Sequence, residues 1–291
     1  MRPGQALVII LLMMAVALTV GLAIVSRSVT DVGVSTTSAQ SARALAAAEA
    51  GIEAALGGQV TVNQQVAVES NPTSSTGTYT VVSSTAVGGG DSVSFTEGVK
   101  AGDAATLFFL AHDDAGNLDL NSSGANRYDG TSVIICWVIG SGDPALEAVL
   151  YYIQGANYVA TRNIYDPEGI IRTPGSHSPD ATASNCPTGT TYLYQKNINL
   201  TETIANGGLA MPTSGITPLF LRLKLLYSGD TNHQLAAMQV GGDQFPAQAR
   251  QVETIGQVGS NTRRVQVTER YPDLPPYFDN ALLSGSDLKK D

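Results

Sequence analysis

The chain is poor in charge, in cysteine and in histidine, and each shortage removes a class of function. Only 14% of its 291 residues are Asp, Glu, Lys or Arg, and the 16 basic residues never gather into a block. Nucleic-acid binding needs clustered Lys and Arg to displace phosphate counterions, so a net charge of −9 argues against it. Two cysteines and three histidines leave little material for a metal centre or an activated nucleophile. His112, His177 and His233 stand in polar, loop-like surroundings, and none accompanies a Gly-x-Ser-x-Gly elbow or an H-E-x-x-H helix. The run Gly88 to Gly90 lacks the Gly-Lys-Ser/Thr ending of a phosphate loop. No repeat of fixed period is evident. The sequence predicts a chain that is not an enzyme and carries no cofactor.

What is abundant points elsewhere. Hydrophobic residues make up 43% of the chain, enough for a folded protein, and small polar residues crowd the stretch after residue 57. An uncharged apolar run occupies Ala6 to Val25, and helix-forming sequence continues without a break to Leu56. At 1.5 Å per residue, Gln5 to Leu56 spans roughly 78 Å, too long for one small domain to bury. On a helical wheel Val34, Leu45, Ile52 and Leu56 fall in one narrow stripe, with Arg43 nearly opposite. Half of a helix is therefore expected to lie along its own globular domain while the other half projects.

The projecting half just reaches the length needed to cross a bilayer core. An ordinary secretory signal has a shorter core and a small-residue cleavage site, which Val25-Ser26-Arg27-Ser28 does not supply. A plain signal anchor fits the length, but Arg2 does not outweigh Arg27, so charge fixes no orientation. The third reading is a very short leader ending at Gly4, with the mature chain opening on Gln5-Ala6-Leu7.

The residues that carry this third reading are the Gly4/Gln5 junction, the run ALVIILLMMAVALTVGLAIVSRS and the downstream ARALAAAEAGIEAAL. Together they resemble the N-terminus of type IV pilins, in particular the PilX-like minor pilin or pilus-assembly group. The resemblance covers about the first fifth of the chain. A weaker echo, in LPPYFDNALLSGSDL near the C-terminus, is shared with large pilin-like proteins of small-genome bacterial lineages. The resemblance implies cleavage after Gly4 by a prepilin peptidase and methylation of Gln5. It also implies partnership with the cytoplasmic membrane, other pilin subunits and the pilus assembly platform. Ile9, Leu12, Val16, Ala17, Gly21 and Ile24 are the residues expected to meet lipid and neighbouring helices. Ala17 and Gly21, four apart, suit close helix packing.

Two departures from the family matter. Major pilins carry a glutamate at the fifth mature position, thought to pair with a neighbour's N-terminal amine, whereas this chain has Ile9. A minor or priming subunit fits that absence better than a main building block. Pro3 replaces the usual basic leader residue before the cleavage glycine. The competing reading is a membrane-anchored extracytoplasmic binding or adhesion protein that never enters a filament.

The fold class expected is α+β: a long N-terminal helix, then a mostly antiparallel, sandwich-like β region. The expected division is a leader over 1–4, a helix over 5–57 with its transmembrane half at 6–25, a helix-proximal β unit over 58–103, and an extracytoplasmic β-rich domain over 104–291. Gly57-Gly58 is a helix stop. Strands are predicted at Val60 and Val62, Val66 and Val68, Thr78 to Val82, Ser92 to Val99, and in TLFFLA, SVIICWVI, LEAVLYYI and NYVATRNIY. Later candidates are Tyr192 to Leu200, Pro218 to Tyr227 and Arg263 to Arg270, with SNPTSSTG read as a turn. An even pair of cysteines in an exported chain favours a Cys136–Cys186 disulfide, against a buried free thiol at Cys136. Asp114, Asn117, Asp119 and Asn121 form an oxygen-rich stretch that offers weak Ca²⁺ ligands, without EF-hand spacing. Such clusters most often mark turns.

Overall fold

The computed structural model describes residues 3–68, 77–100, 102–113, 116–138, 143–167, 172, 176–179, 186–187, 191–227, 229, 231–241 and 244–275. A single helix, α1 (Pro3–Leu56), runs for 54 residues. It meets no proline after its first residue, and Thr19, Thr30 and Thr36 bond back onto the preceding turn, Thr30 to the Ser26 carbonyl at 2.9 Å. It stops where the glycine pair predicts. Gly58 takes a left-handed φ of 65°, its N–H donates to the Ala55 carbonyl, and the Gln59 N–H donates to the Ala54 carbonyl. This double bond closes the helix and satisfies its last carbonyls.

The strands among the described residues are β1 (Gln65–Val68), β2 (Gly77–Val87), β3 (Ser92–Val99), β4 (Ala104–Phe108), β5 (Ser132–Trp137), β6 (Ala145–Gln154) and β7 (Asn157–Tyr165). They continue as β8 (Tyr194–Asn199), β9 (Ile216–Leu226), β10 (His233–Gln239), β11 (Ala249–Val258) and β12 (Asn261–Arg270). They form three four-stranded sheets, ordered β1-β2-β11-β12, β3-β10-β5-β8 and β4-β9-β6-β7. The α+β class holds. Val60 and Val62 lie outside strands, and β10 and β11 are strands where none was expected. The turn SNPTSSTG lies outside the described residues up to Thr76.

The chain divides into two compact units, Met1–Ser84 with Val252–Val267, and Thr85–Gln251 with Thr268–Asp291. This differs from the expected boundary at 103/104. β3 pairs with β10, and the β11–β12 segment returns from late in the chain to extend the sheet of β1 and β2.

In the first unit α1 presents Ala44, Ala47, Ala48, Gly51, Ile52 and Ala55 as its buried face. Their spacing of three and four is that of one helical stripe. The stripe read from the large residues is corrected here: Val34 and Leu45 are exposed, and only Ile52 and Leu56 of that set join the core. Small residues are required because backbone meets backbone. A Cβ added at Gly256 would sit 2.0 Å from the Ala44 carbonyl oxygen, and one at Gly51 would sit 2.8 Å from the Tyr79 ring. The buried Thr254 hydroxyl donates to the Ala48 carbonyl at 2.7 Å. Ile52, Ala55, Val81 and Val252 form the core, with Leu56, Val265 and Val267 against it.

In the second unit the sheets β3-β10-β5-β8 and β4-β9-β6-β7 share one core, built by alternate residues of each strand. Val133, Ile135, Trp137, Leu235 and Ala237 come from the first sheet; Leu107, Leu146, Leu150, Leu221 and Leu223 come from the second. Two sheets burying one common face make a sandwich. Gln248 braces the rim of β4, its amide accepting from the Phe108 N–H at 2.8 Å and donating to the Phe108 carbonyl at 3.0 Å.

Candidate functional site

The N-terminal half of α1 carries the residues singled out in the sequence. Gly4 and Gln5 lie in the first turn, and Ile9, Leu12, Val16, Ala17, Gly21 and Ile24 follow along the helix. At about 100° per residue, Ile9, Leu12 and Val16 form one stripe, and Ala17, Gly21 and Ile24 an adjacent one. None is covered by the chain itself: the large residues of this half are 53–70% exposed from Ile9 to Val25, and nothing lies within 4 Å of a Cβ placed at Gly21. This helix is long and apolar enough to cross a membrane. So large an apolar surface is stable only against lipid or other protein.

Cys136 and Cys186 are joined in a disulfide with their Cα atoms 5.9 Å apart. It closes a 50-residue separation on the outer face of the β5 sheet, beside Ile134, Tyr192 and Ala236. In the chain-entropy description such a loop contributes about 4 kcal/mol. Of the oxygen-rich stretch, Asp114 lies outside the described residues. Asn117 donates its backbone N–H to Asp113 at 2.8 Å, and Asp119 accepts from the Asn121 backbone N–H at 2.9 Å. These are turn bonds. Among the described residues no group of three or more His, Cys, Asp or Glu is placed to hold a metal ion.

Two of the three histidines, His233 and His112, differ from their expected setting. His233 is buried in β10. His112 stacks on Tyr271, ring centroids 3.8 Å apart, with Phe108 edge-on at 4.5 Å. Burial lowers the His112 pKa to about 4, against a smaller opposing effect of Asp113. Beside this stack Arg222, 2% exposed, lies between Thr106 and Val149 on the outer face of β9. It donates to Asp273 at 2.7 Å and to the Leu274 carbonyl, while the Thr106 hydroxyl donates to Asp273 at 2.6 Å. Residues 271–275 are thus strapped over the sheet by one aromatic stack and one ion pair whose arginine is buried. The remainder of the C-terminal echo, from 276 onward, lies outside the described residues.

A second polar cluster gathers where β5, β7, β8 and β9 meet their loops. Asp166, fully buried, accepts from the Arg172 backbone N–H at 2.6 Å and from its Nε at 3.0 Å. The same guanidinium donates to the Asp143 carbonyl and lies 4.6 Å from the Tyr227 ring centroid. Tyr194 donates its hydroxyl to Asp143 Oδ1 at 2.6 Å. Burial, and then the bond to Asp143, push the Tyr194 pKa up to about 12, so the phenol keeps its proton. Sequence reading missed this cluster because its members are scattered from 143 to 227 in loops of ordinary composition. The one signal was two tyrosines at strand ends.

The chain matches no protein-family model, no curated protein and no solved structure.

Proposed function

We propose that this chain is a minor subunit of a type IV pilus-like filament, held in the cytoplasmic membrane by its N-terminal helix before assembly. One observation carries the reading: a single unbroken helix whose apolar half is bare and whose second half is fixed to its own β-sheet through small residues. A helix used only as a membrane tether needs no rigid continuation into the domain. A helix that must leave lipid and pack among neighbours gains from one, because its orientation is then set by the domain it carries.

In this reading a prepilin peptidase removes residues 1–4, the apolar half waits in the bilayer with the β domain outside, and assembly exchanges lipid contacts for helix contacts. With lipid as apolar as the helix, the exchange is driven by close packing, for which Ala17 and Gly21 allow backbone approach. Ile9 brings no charge into that environment, so insertion costs little and no partner amine is needed. The lack of an acid there suits a subunit with a specialised position over one repeated along the filament.

The test is to shear surface filaments from cells and probe both filaments and membranes for the chain. It is expected in both fractions, and Val16→Asp is expected to reduce it in both. A chain confined to membranes under conditions that release filaments would contradict the proposal and favour a membrane-anchored binding protein.

A further inference from the structure

We infer that the cluster of Asp143, Arg172, Tyr194 and Tyr227 is a binding site for a neutral oligosaccharide. The site stands on geometry that packing alone does not require. Tyr227 is 54% exposed and adopts a φ of 62°, and Val138, which follows Tyr194's strand partner Trp137, is buried and β-branched and adopts a φ of 69°. Left-handed backbone at residues other than glycine costs on the order of 1–3 kcal/mol and persists where the surroundings enforce it, most often at ligand sites. Glycine at 227 would relieve that strain; a large exposed ring is there instead.

The ring is held for use. The Arg172 guanidinium lies on it at 4.6 Å and is itself fixed by the buried Asp166, an arrangement that covers one side of the tyrosine and leaves it substantially exposed. A pyranose has just such complementary parts: a flat patch of C–H groups for an aromatic ring, and hydroxyls at its edge for fixed polar atoms. Asp143 supplies the acceptor. Its Oδ1 is taken by Tyr194, and its Oδ2 has no partner among the described residues. Arg172 Nη1, likewise without a partner among the described residues, supplies the donor. The Asp143 carboxylate can accept from one sugar hydroxyl, and the Arg172 guanidinium, held against the Asp143 backbone carbonyl, can donate to another.

Charge selects among sugars. Asp143 and Asp166 against Arg172 leave one net negative charge, so an acidic saccharide is disfavoured. The site belongs to the β domain and does not depend on whether the chain enters a filament.

The test uses the full chain in a detergent without a sugar headgroup, titrated calorimetrically with mannotriose, maltotriose and chitotriose, and with trigalacturonate as the acidic control. Trp137, the single tryptophan, provides a second readout, since its ring lies 5.6 Å from Tyr194 and its Nε1 donates to the Pro144 carbonyl at 3.1 Å. At least one neutral trisaccharide is expected to bind saturably and shift its emission. Tyr227→Gly keeps the left-handed backbone and removes only the ring; it is expected to fold as well as the parent and bind at least about tenfold more weakly, as is Asp143→Asn. No neutral trisaccharide binding at about 10 mM, binding of trigalacturonate alone, or parental affinity in Tyr227→Gly would each overturn the inference.

Discussion

The two halves of α1 are one continuous helix, yet they solve opposite problems. The first half carries Ile, Leu, Met and Val on every side and, from Ile9 to Val25, buries none of them within the chain. The second half buries mainly alanine and glycine, and it is the half that packs. In the proposed function, the large apolar residues mark where the partner is lipid or another subunit. Small ones mark where the partner is the chain's own backbone, near enough that Gly256 has no room for a methyl group. Hydrophobicity alone would have assigned these roles the other way round.

That contrast can be broken from either side. The largest effect is expected from Val16→Asp, in the middle of the apolar half, where a carboxylate costs about 3 kcal/mol in a bilayer. Membrane fractionation should show the membrane-bound share of the chain reduced, and the share left uninserted should lack the Cys136–Cys186 disulfide, assayed by gel mobility under non-reducing conditions, because that bond is expected only after export. In the packed half, Gly256→Val must push α1 from β11, at a cost of about 2 kcal/mol, with membrane association unchanged. Thermal unfolding of the detergent-solubilised chain measures it.

Smaller changes sharpen the same comparison. Thr254→Val removes the bond to the Ala48 carbonyl and should cost about 1 kcal/mol in the same assay. Leu45→Gln, although it alters a large apolar residue of that half, should change stability by no more than about 0.5 kcal/mol, because Leu45 lies off the buried stripe. A control lies outside the helix. Because burial lowers the His112 pKa from 6.5 to about 4, the unfolded chain takes up the proton first. This contribution is whole above pH 6.5 and is lost as the pH falls to about 4. The thermal midpoint should fall more steeply across that interval in the parent than in His112→Phe, and helix–sheet packing should not share in the difference.

Legibility followed the same physics. The long helix and its stop were readable because an unbroken apolar run and the Gly57-Gly58 pair are local signals. β5, β6 and β9 were readable because both their faces are buried and their sequences are therefore rich in Val, Ile and Leu. β10 was not: its buried faces are filled largely by Ala236 and Ala237, which carry no strand signature. The packed stripe of α1 was misread because the size of its residues is set by Gly256, some two hundred positions away, and no wheel contains that residue. The loop-end cluster was invisible for the same reason, since only the fold brings Asp143, Arg172 and Tyr227 together.

The central claim is that residues 1–4 are a leader and that the bare half of α1 is the business end of a filament subunit. The mass of the mature N-terminus, taken from chain purified out of its own cells, tests it most directly. A chain beginning at Gln5, with or without an added methyl group, is the result predicted. An intact Met1, or a cut after Val25, would contradict it.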